Sequence, residues 1–215
     1  MRAGYDRWAA TYDATSNPLV ALDRRVTMDA VGPRAGEWTL DAGCGTGVHL
    51  AALARARTRA VGLDFSRGML RVAARKVPRA GLVQANLDQG LPVRRGAFDV
   101  VLSALVSEHL SDLARFFAET FAVLRRGGRL VFSAFHPELA RAGVEANFEH
   151  DGTEYRLGAE RYSVADYLNG VADAGFEALT WREYRGDARL ASEVPGAAKY
   201  LDRPLLLLVQ AERRA

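Results

Sequence analysis

One cysteine, Cys44, stands in a chain of 215 residues. No disulfide can close within the chain, and no multi-cysteine zinc site can be built. Long apolar runs are missing as well. The longest purely aliphatic stretch, Leu205 to Val209, falls far short of the roughly 20 residues that span a bilayer, and the N-terminus lacks a signal-peptide apolar region. These absences predict a soluble, cytoplasmic protein that does not engage a membrane. A basic arm is also lacking. The net charge is +3 and the pI is near 9.2, but the arginines are scattered among acids and cluster only in short pairs such as Arg24-Arg25, Arg94-Arg95 and Arg125-Arg126. Such pairs read as solvated faces or helix ends, with Arg125-Arg126 expected to close a helix before Gly127, and a nucleic-acid partner is not expected. What is present is core material: 49% of residues are hydrophobic, which suits one domain over residues 1–215.

The most informative segment is Leu40-Asp41-Ala42-Gly43-Cys44-Gly45-Thr46-Gly47, between an apolar strand-like run and a helical pattern. Glycines at alternate positions let the backbone turn sharply and approach a ligand closely. Asp64 ends the next strand-like run, Val61-Gly62-Leu63-Asp64, where a carboxylate takes a ribose hydroxyl pair. The spacing departs from the dinucleotide pattern G-x-G-x-x-G, in which a pyrophosphate rests on the helix N-terminus. Here the third glycine comes one residue early and Val48 holds its place. Asp41, two residues before the first glycine, would repel a pyrophosphate and attract an ammonium.

In these residues the chain resembles the class I S-adenosylmethionine-dependent methyltransferases, and in particular their small UbiE-like, type 11 group. Further motifs follow in the family's order. They are Phe65-Ser66 after Asp64, Gln84 to Asp88 after the third strand, and Phe98 to Leu105 as a fourth strand with Val106-Ser107-Glu108-His109-Leu110 behind it. Gly127 to Phe132 then resembles the turn into a fifth strand, and Tyr5 to Asp13 the aromatic opening that folds over the cofactor. Asn86 departs from the family's usual acid, although its amide oxygen can accept the same hydrogen bond. The resemblance implies a Rossmann-like α/β fold with a seven-stranded, mostly parallel sheet, the last strand antiparallel, helices on both faces and a cap insertion after strand five. It implies S-adenosylmethionine as cofactor, S-adenosylhomocysteine as product, and Tyr12, Asp41, Gly43, Cys44, Gly45, Asp64, Phe65, Met69, Asn86, Leu87 and Ala104 as its contacts. The alanine-rich, arginine-over-lysine usage resembles that of a high-GC bacterium.

Alternating strand and helix patterns support a parallel sheet covered on both faces. Asn17-Pro18 predicts a capped helix, so residues 1–35 read as an N-terminal lid and helix. Strands are expected near 38–43, 59–64, 81–86, 98–104 and 128–135, then over 176–184 and 205–211. Leu113, Phe116, Phe117, Phe121 and Leu124 give an amphipathic helix. Ser66 is expected to cap one helix and Ser163-Val164-Ala165-Asp166 to open another as a capping box. Between 136 and 162 the alternation breaks. Asp151-Gly152 there predicts a hairpin over the carboxyl ends of the strands, an acceptor cap. The connection 186–203 is expected to form a second wall.

An activated sulfonium leaves the protein mainly the work of aligning acceptor, methyl and sulfur. A hydroxyl or amine acceptor must also lose a proton, for which histidine is suited. His109 and His136, placed behind strands four and five, are the candidate bases. Tyr5, His109, His136, Phe148 and Tyr155 are the candidate acceptor contacts. Glu108 either orients His109 or is solvated. Asp99, at the far end of its strand, and His49 read as structural, His150 as an exposed hairpin residue, and Trp8 as lid or packing. No metal is expected, because Phe135-His136-Pro137-Glu138 does not supply the clustered acids of metal-dependent relatives. The reading is methyl transfer to oxygen or nitrogen of a small molecule. The alternatives are a non-catalytic S-adenosylmethionine-binding scaffold and a nicotinamide-dependent oxidoreductase.

Overall fold

The computed structural model describes residues 1–214. In chain order its elements are α1 (Arg2–Trp8), α2 (Pro18–Val31), β1 (Trp38–Ala42), α3 (Val48–Arg55), β2 (Arg59–Asp64), α4 (Arg67–Lys76), β3 (Gly81–Gln84), β4 (Phe98–Ala104), α5 (Leu113–Val123), β5 (Leu124–Phe135), α6 (Pro137–Arg141), β6 (Asn147–His150), β7 (Thr153–Arg156), α7 (Val164–Asp173), β8 (Glu177–Arg185), α8 (Ala188–Glu193) and β9 (Pro204–Arg213). Local chemistry sets the helix starts. Asn17 Oδ1 accepts from the Leu19 and Val20 N–H groups at 2.9 and 3.3 Å ahead of Pro18, and Ser163 and Asp166 form the expected capping box.

The seven-stranded sheet has the order β3-β2-β1-β4-β5-β9-β8. β1 to β5 are mutually parallel, and β9 runs antiparallel to both β5 and β8. Side-chain alternation sends successive residues to opposite faces, both of them buried. Val101, Leu130, Phe132, Leu207 and Val209 pack under α5 and α7 with Phe116, Phe117, Tyr167 and Val171. Val100, Leu102, Val131 and Leu208 face the other way, against Val31 of α2 and Leu50 and Leu53 of α3. The strand order reverses between β1 and β4, which opens a crevice at their carboxyl ends.

Three expectations change. Helix α5 stops at Val123, and Leu124 pairs with Phe98 in the sheet. Arg125-Arg126 therefore begins a strand rather than ending a helix. Arg125 forms an ion pair with Asp99, whose Oδ2 also accepts from the Trp38 N–H at 2.7 Å, so Asp99 is structural as expected. Strand β3 ends at Gln84, two residues earlier than expected, because Asn86 caps a short 3-10 turn over 87–89. The hairpin β6–β7 forms around Asp151 (φ 50°) and Gly152 (φ 72°), the paired left-handed residues that such a turn demands. It packs largely against α1, the Phe148 ring stacking on Trp8 with centroids 4.9 Å apart and planes at 10°, and of its strand residues Asn147 alone reaches the cavity at the carboxyl ends of β4 and β5.

Candidate active site

The segment after β1 turns through Gly43 (φ 88°) and Gly45 (φ 50°) into α3. A Cβ at Gly43 would lie 2.2 Å from Val106 Cγ2, whereas one at Gly45 would meet nothing within 4 Å. Gly43 thus lets two loops close on each other, and Gly45 leaves its backbone open to a ligand. Asp64 holds this turn, its Oδ2 accepting from the Gly45 N–H and its Oδ1 from the Ser66 N–H, both at 2.8 Å. Burial lifts the Asp64 carboxyl to about 6, against the pull of those two N–H groups. Each oxygen keeps a second lone pair for a ribose hydroxyl.

Around this turn lies a cleft of about 350 Å³. Of the predicted cofactor contacts, Tyr12, Gly43, Gly45, Asp64, Phe65, Met69, Asn86, Leu87 and Ala104 line it. Asp41 and Cys44 do not. The Cys44 side chain packs with Leu50 and Leu53 in the core, and burial pushes its thiol up. Asp41 is 1% exposed and neither carboxylate oxygen has a hydrogen-bond partner. Burial raises it to about 7, with Asp64 and Asp23 adding to the rise and His49 opposing it. An ionised carboxylate without a partner is costly in the interior. The cleft also takes in Asp88, Leu105 and Val106, from the motifs behind the third and fourth strands, and Met1 and Arg2, which carry no local sequence signal.

Helix α1 closes the cleft. Asp6 Oδ1 accepts from Ser66 Oγ at 2.8 Å and from the Gly68 N–H at 2.7 Å, and these bonds outweigh desolvation to lower its pKa. Gly68 is needed for this docking, since a Cβ there would lie 2.8 Å from the Asp6 carbonyl oxygen. Asp13 makes a second latch, accepting from Thr46 Oγ1 and Lys76 Nζ, both at 2.8 Å. Trp8 is buried between Tyr12 and Phe148, so it is packing that fixes the lid. Phe148 and Tyr155, expected to touch an acceptor, line neither the cleft nor the cavity beside it. They form a stack behind Trp8, capped by Arg7 over Tyr155 at 5.3 Å.

A second cavity of about 290 Å³ adjoins the first, bounded by Trp8, Leu139, Val144, Tyr200 and Leu205 among others. Tyr5, Tyr12, Leu105 and His109 line both cavities. Leu105 holds φ at 55°, a conformation a leucine adopts only under constraint. The connection after β8 supplies Pro195, Gly196 and Lys199, the second wall expected of 186–203. Tyr5 Oη and His109 Nε2 are 2.8 Å apart. Burial pulls His109 down to about 4, so the ring is neutral near pH 7. Burial lifts Tyr12 to about 12 and raises Tyr5 still more.

His136 is not brought to either cavity. Pro137 begins α6, which makes His136 the helix cap, with Nδ1 accepting from the Glu138 N–H at 3.3 Å and Nε2 3.7 Å from Glu183 on β8. Glu108 neither orients His109 nor meets water freely. It is 7% exposed, its Oε2 has no partner, and burial lifts it to about 7. His49 is structural, its Nε2 hydrogen-bonded at 2.8 Å to Asp23. His150 is exposed on the hairpin. Among the described residues no group of three His, Cys, Asp or Glu is placed to hold a metal ion.

Comparison with known proteins agrees with this geometry. Residues 40–132 match the family model described as a methyltransferase domain. A demethylmenaquinone methyltransferase of Clavibacter sepedonicus is 35% identical over 180 residues, covering 79% of this chain and 73% of the relative. That of Tropheryma whipplei (strain Twist) is 34% identical over 143 residues, covering 64% of this chain, and the match spans only 60% of that relative's length. The fold matches the crystal structure of an S-adenosylmethionine-dependent methyltransferase from Mesorhizobium loti with a TM-score of 0.76 at 24% identity, covering 92% of this chain and 100% of that one. The chain belongs to the class I S-adenosylmethionine-dependent methyltransferases, and S-adenosylmethionine is its cofactor.

Proposed function

We propose that the protein methylates an oxygen or nitrogen of a small molecule held in the second cavity, without a metal ion and in the cytoplasm. The observation that carries this reading is the wall of Tyr5, Tyr12, Leu105 and His109 shared by the two cavities. An acceptor on one side of that wall and a cofactor on the other meet across it, within an enclosure of the size that small ligands occupy. S-Adenosylmethionine, when bound, supplies an activated methyl group for in-line displacement. Asp64 takes the ribose, Asp41 attracts the ammonium of the methionine part, and Asn86 and Leu87 border the adenine. The aromatic faces of Tyr5 and Tyr12 favour a cation and exclude water.

Proton removal falls to the Tyr5–His109 pair. In the tautomer with its proton on Nδ1, His109 accepts the phenol hydrogen at Nε2, and the phenol oxygen can take a proton from the acceptor as its own moves to the ring. Burial keeps His109 neutral and able to accept at Nε2, and the same burial opposes the imidazolium that this transfer forms. The test is S-adenosylhomocysteine release from purified protein with a panel of small alcohols, phenols and amines. Acceptor-dependent release that falls about 10²–10⁴-fold in His109→Ala is the expected result. Release unchanged in that variant removes His109 from proton transfer, and none with any acceptor leaves the scaffold reading in place.

A further inference from the structure

Resting on that reading, we infer that the second cavity takes an amine, and that Glu108 is the residue that selects it. Three observations converge. Glu108 lines this cavity and not the cofactor cleft. Its side chain is more than nine-tenths buried and presents an oxygen with no hydrogen-bond partner. Its neighbours in the cavity include the aromatic rings of Tyr5 and Tyr12, whose phenols feel its charge. A buried acceptor-only group among aromatic faces is a site for a cationic nitrogen, which gains a charge-assisted hydrogen bond from the carboxylate and an electrostatic attraction from the rings.

The other charges around the cavity leave Glu108 as the determinant. Glu145 is paired with Arg156, so its charge is already answered. Lys199 lies 5.1 Å from the centre of the Tyr200 ring, on the wall formed by the connection after β8, and it is exposed. A carboxylate ligand would set a second negative charge against the unpartnered oxygen of Glu108 in a low-dielectric enclosure, which is strongly unfavourable. An alcohol can donate one hydrogen bond but brings no charge. Beside the polar Thr15, Ser16, Asn17 and Asn147, the side chains of Trp8, Leu139, Val144 and Leu205 give the cavity an apolar stretch that suits a hydrocarbon or aryl arm on the amine.

The experiment is calorimetric titration at pH 8 of the protein saturated with S-adenosylhomocysteine. The probes are 2-phenylethylamine, 2-phenylethanol and 3-phenylpropionate, which share an aryl arm and differ in the polar end. Binding of the amine at least about tenfold tighter than the alcohol, with no binding of the carboxylate, is expected. In Glu108→Gln, which keeps the shape and removes the charge, that preference should fall below about threefold while S-adenosylhomocysteine still binds as in the wild type. Equal binding of amine and alcohol, tighter binding of the carboxylate, binding of none of the three, or an amine preference that survives Glu108→Gln overturns the inference. If the variant fails to bind S-adenosylhomocysteine, the wild-type ranking alone decides. Failure of the wild-type protein to bind S-adenosylhomocysteine contradicts the methyltransferase reading itself, and so is distinct from failure of the amine preference.

Discussion

The phenol oxygen of Tyr5 lies 2.8 Å from Nε2 of His109, joining the first helix of the chain to the loop behind β4. On the proposed reading, the bond ties closure of α1 over the cleft to a proton acceptor beside the second cavity. Removing the hydroxyl alone separates these roles. In Tyr5→Phe, single-turnover methyl transfer should slow about 10²-fold, within the range of a lost acid–base group. S-Adenosylmethionine affinity should stay within about threefold, because the ring still covers the cleft. A parallel loss of affinity and rate would assign Tyr5 to the lid only.

Asp41 should reveal itself by two effects of opposite sign. Its ordinary carboxyl value is 3.8 and its folded value about 7, so the native state holds a proton that the unfolded chain has lost across that interval. Stability of the cofactor-free protein therefore declines through this window as pH rises, and levels off above it. Asp41→Asn removes that decline. Its gain in unfolding free energy should be small near pH 4 and reach about 2–4 kcal/mol above pH 7. Affinity for S-adenosylmethionine should fall at least about tenfold, the measure of a lost charge-assisted contact. Chemical denaturation across pH 4–8, with titration of the cofactor, measures both.

The lid depends on Asp6 and on the glycine beneath it. Asp6→Ala removes the bonds to Ser66 and Gly68, and S-adenosylhomocysteine should leave about fivefold faster, the equivalent of roughly 1 kcal/mol. Gly68→Ala should have the larger effect, because its Cβ would strike the backbone of α1. Stopped-flow displacement measures both rates. If neither changes, α1 is not the element that retains the cofactor.

Local chemistry made much of the fold legible in the sequence. Alternating apolar residues marked the strands, Asn17-Pro18 and Ser163 to Asp166 marked helix starts, and Asp151-Gly152 marked the hairpin. The glycine turn and Asp64 could be read because a close backbone approach leaves few residue choices. Relations between distant segments could not be read. Tyr5 and His109 are 104 residues apart, and nothing local says which way Phe148 faces: its place on a hairpin points to the acceptor, whereas its ring stacks on Trp8. His136 sits at the end of β5 as expected, but Pro137 makes it a helix cap, and a cap residue's side chain turns toward its own helix. Arg125-Arg126 resembled a helix end until the pairing of Leu124 with Phe98 overrode it. Leu105 closes the fourth-strand motif, but nothing in its residue type announces the left-handed backbone it adopts.

We expect the cleft to bind S-adenosylmethionine through the Asp64-braced glycine turn. Titration calorimetry with S-adenosylmethionine, S-adenosylhomocysteine and NADH, on the wild type and on Asp64→Ala, tests it most directly. Saturable binding of the first two is expected, with none of NADH and a loss of at least about tenfold in affinity for both in the variant. Binding of NADH alone, or S-adenosylmethionine affinity unchanged by Asp64→Ala, would contradict it.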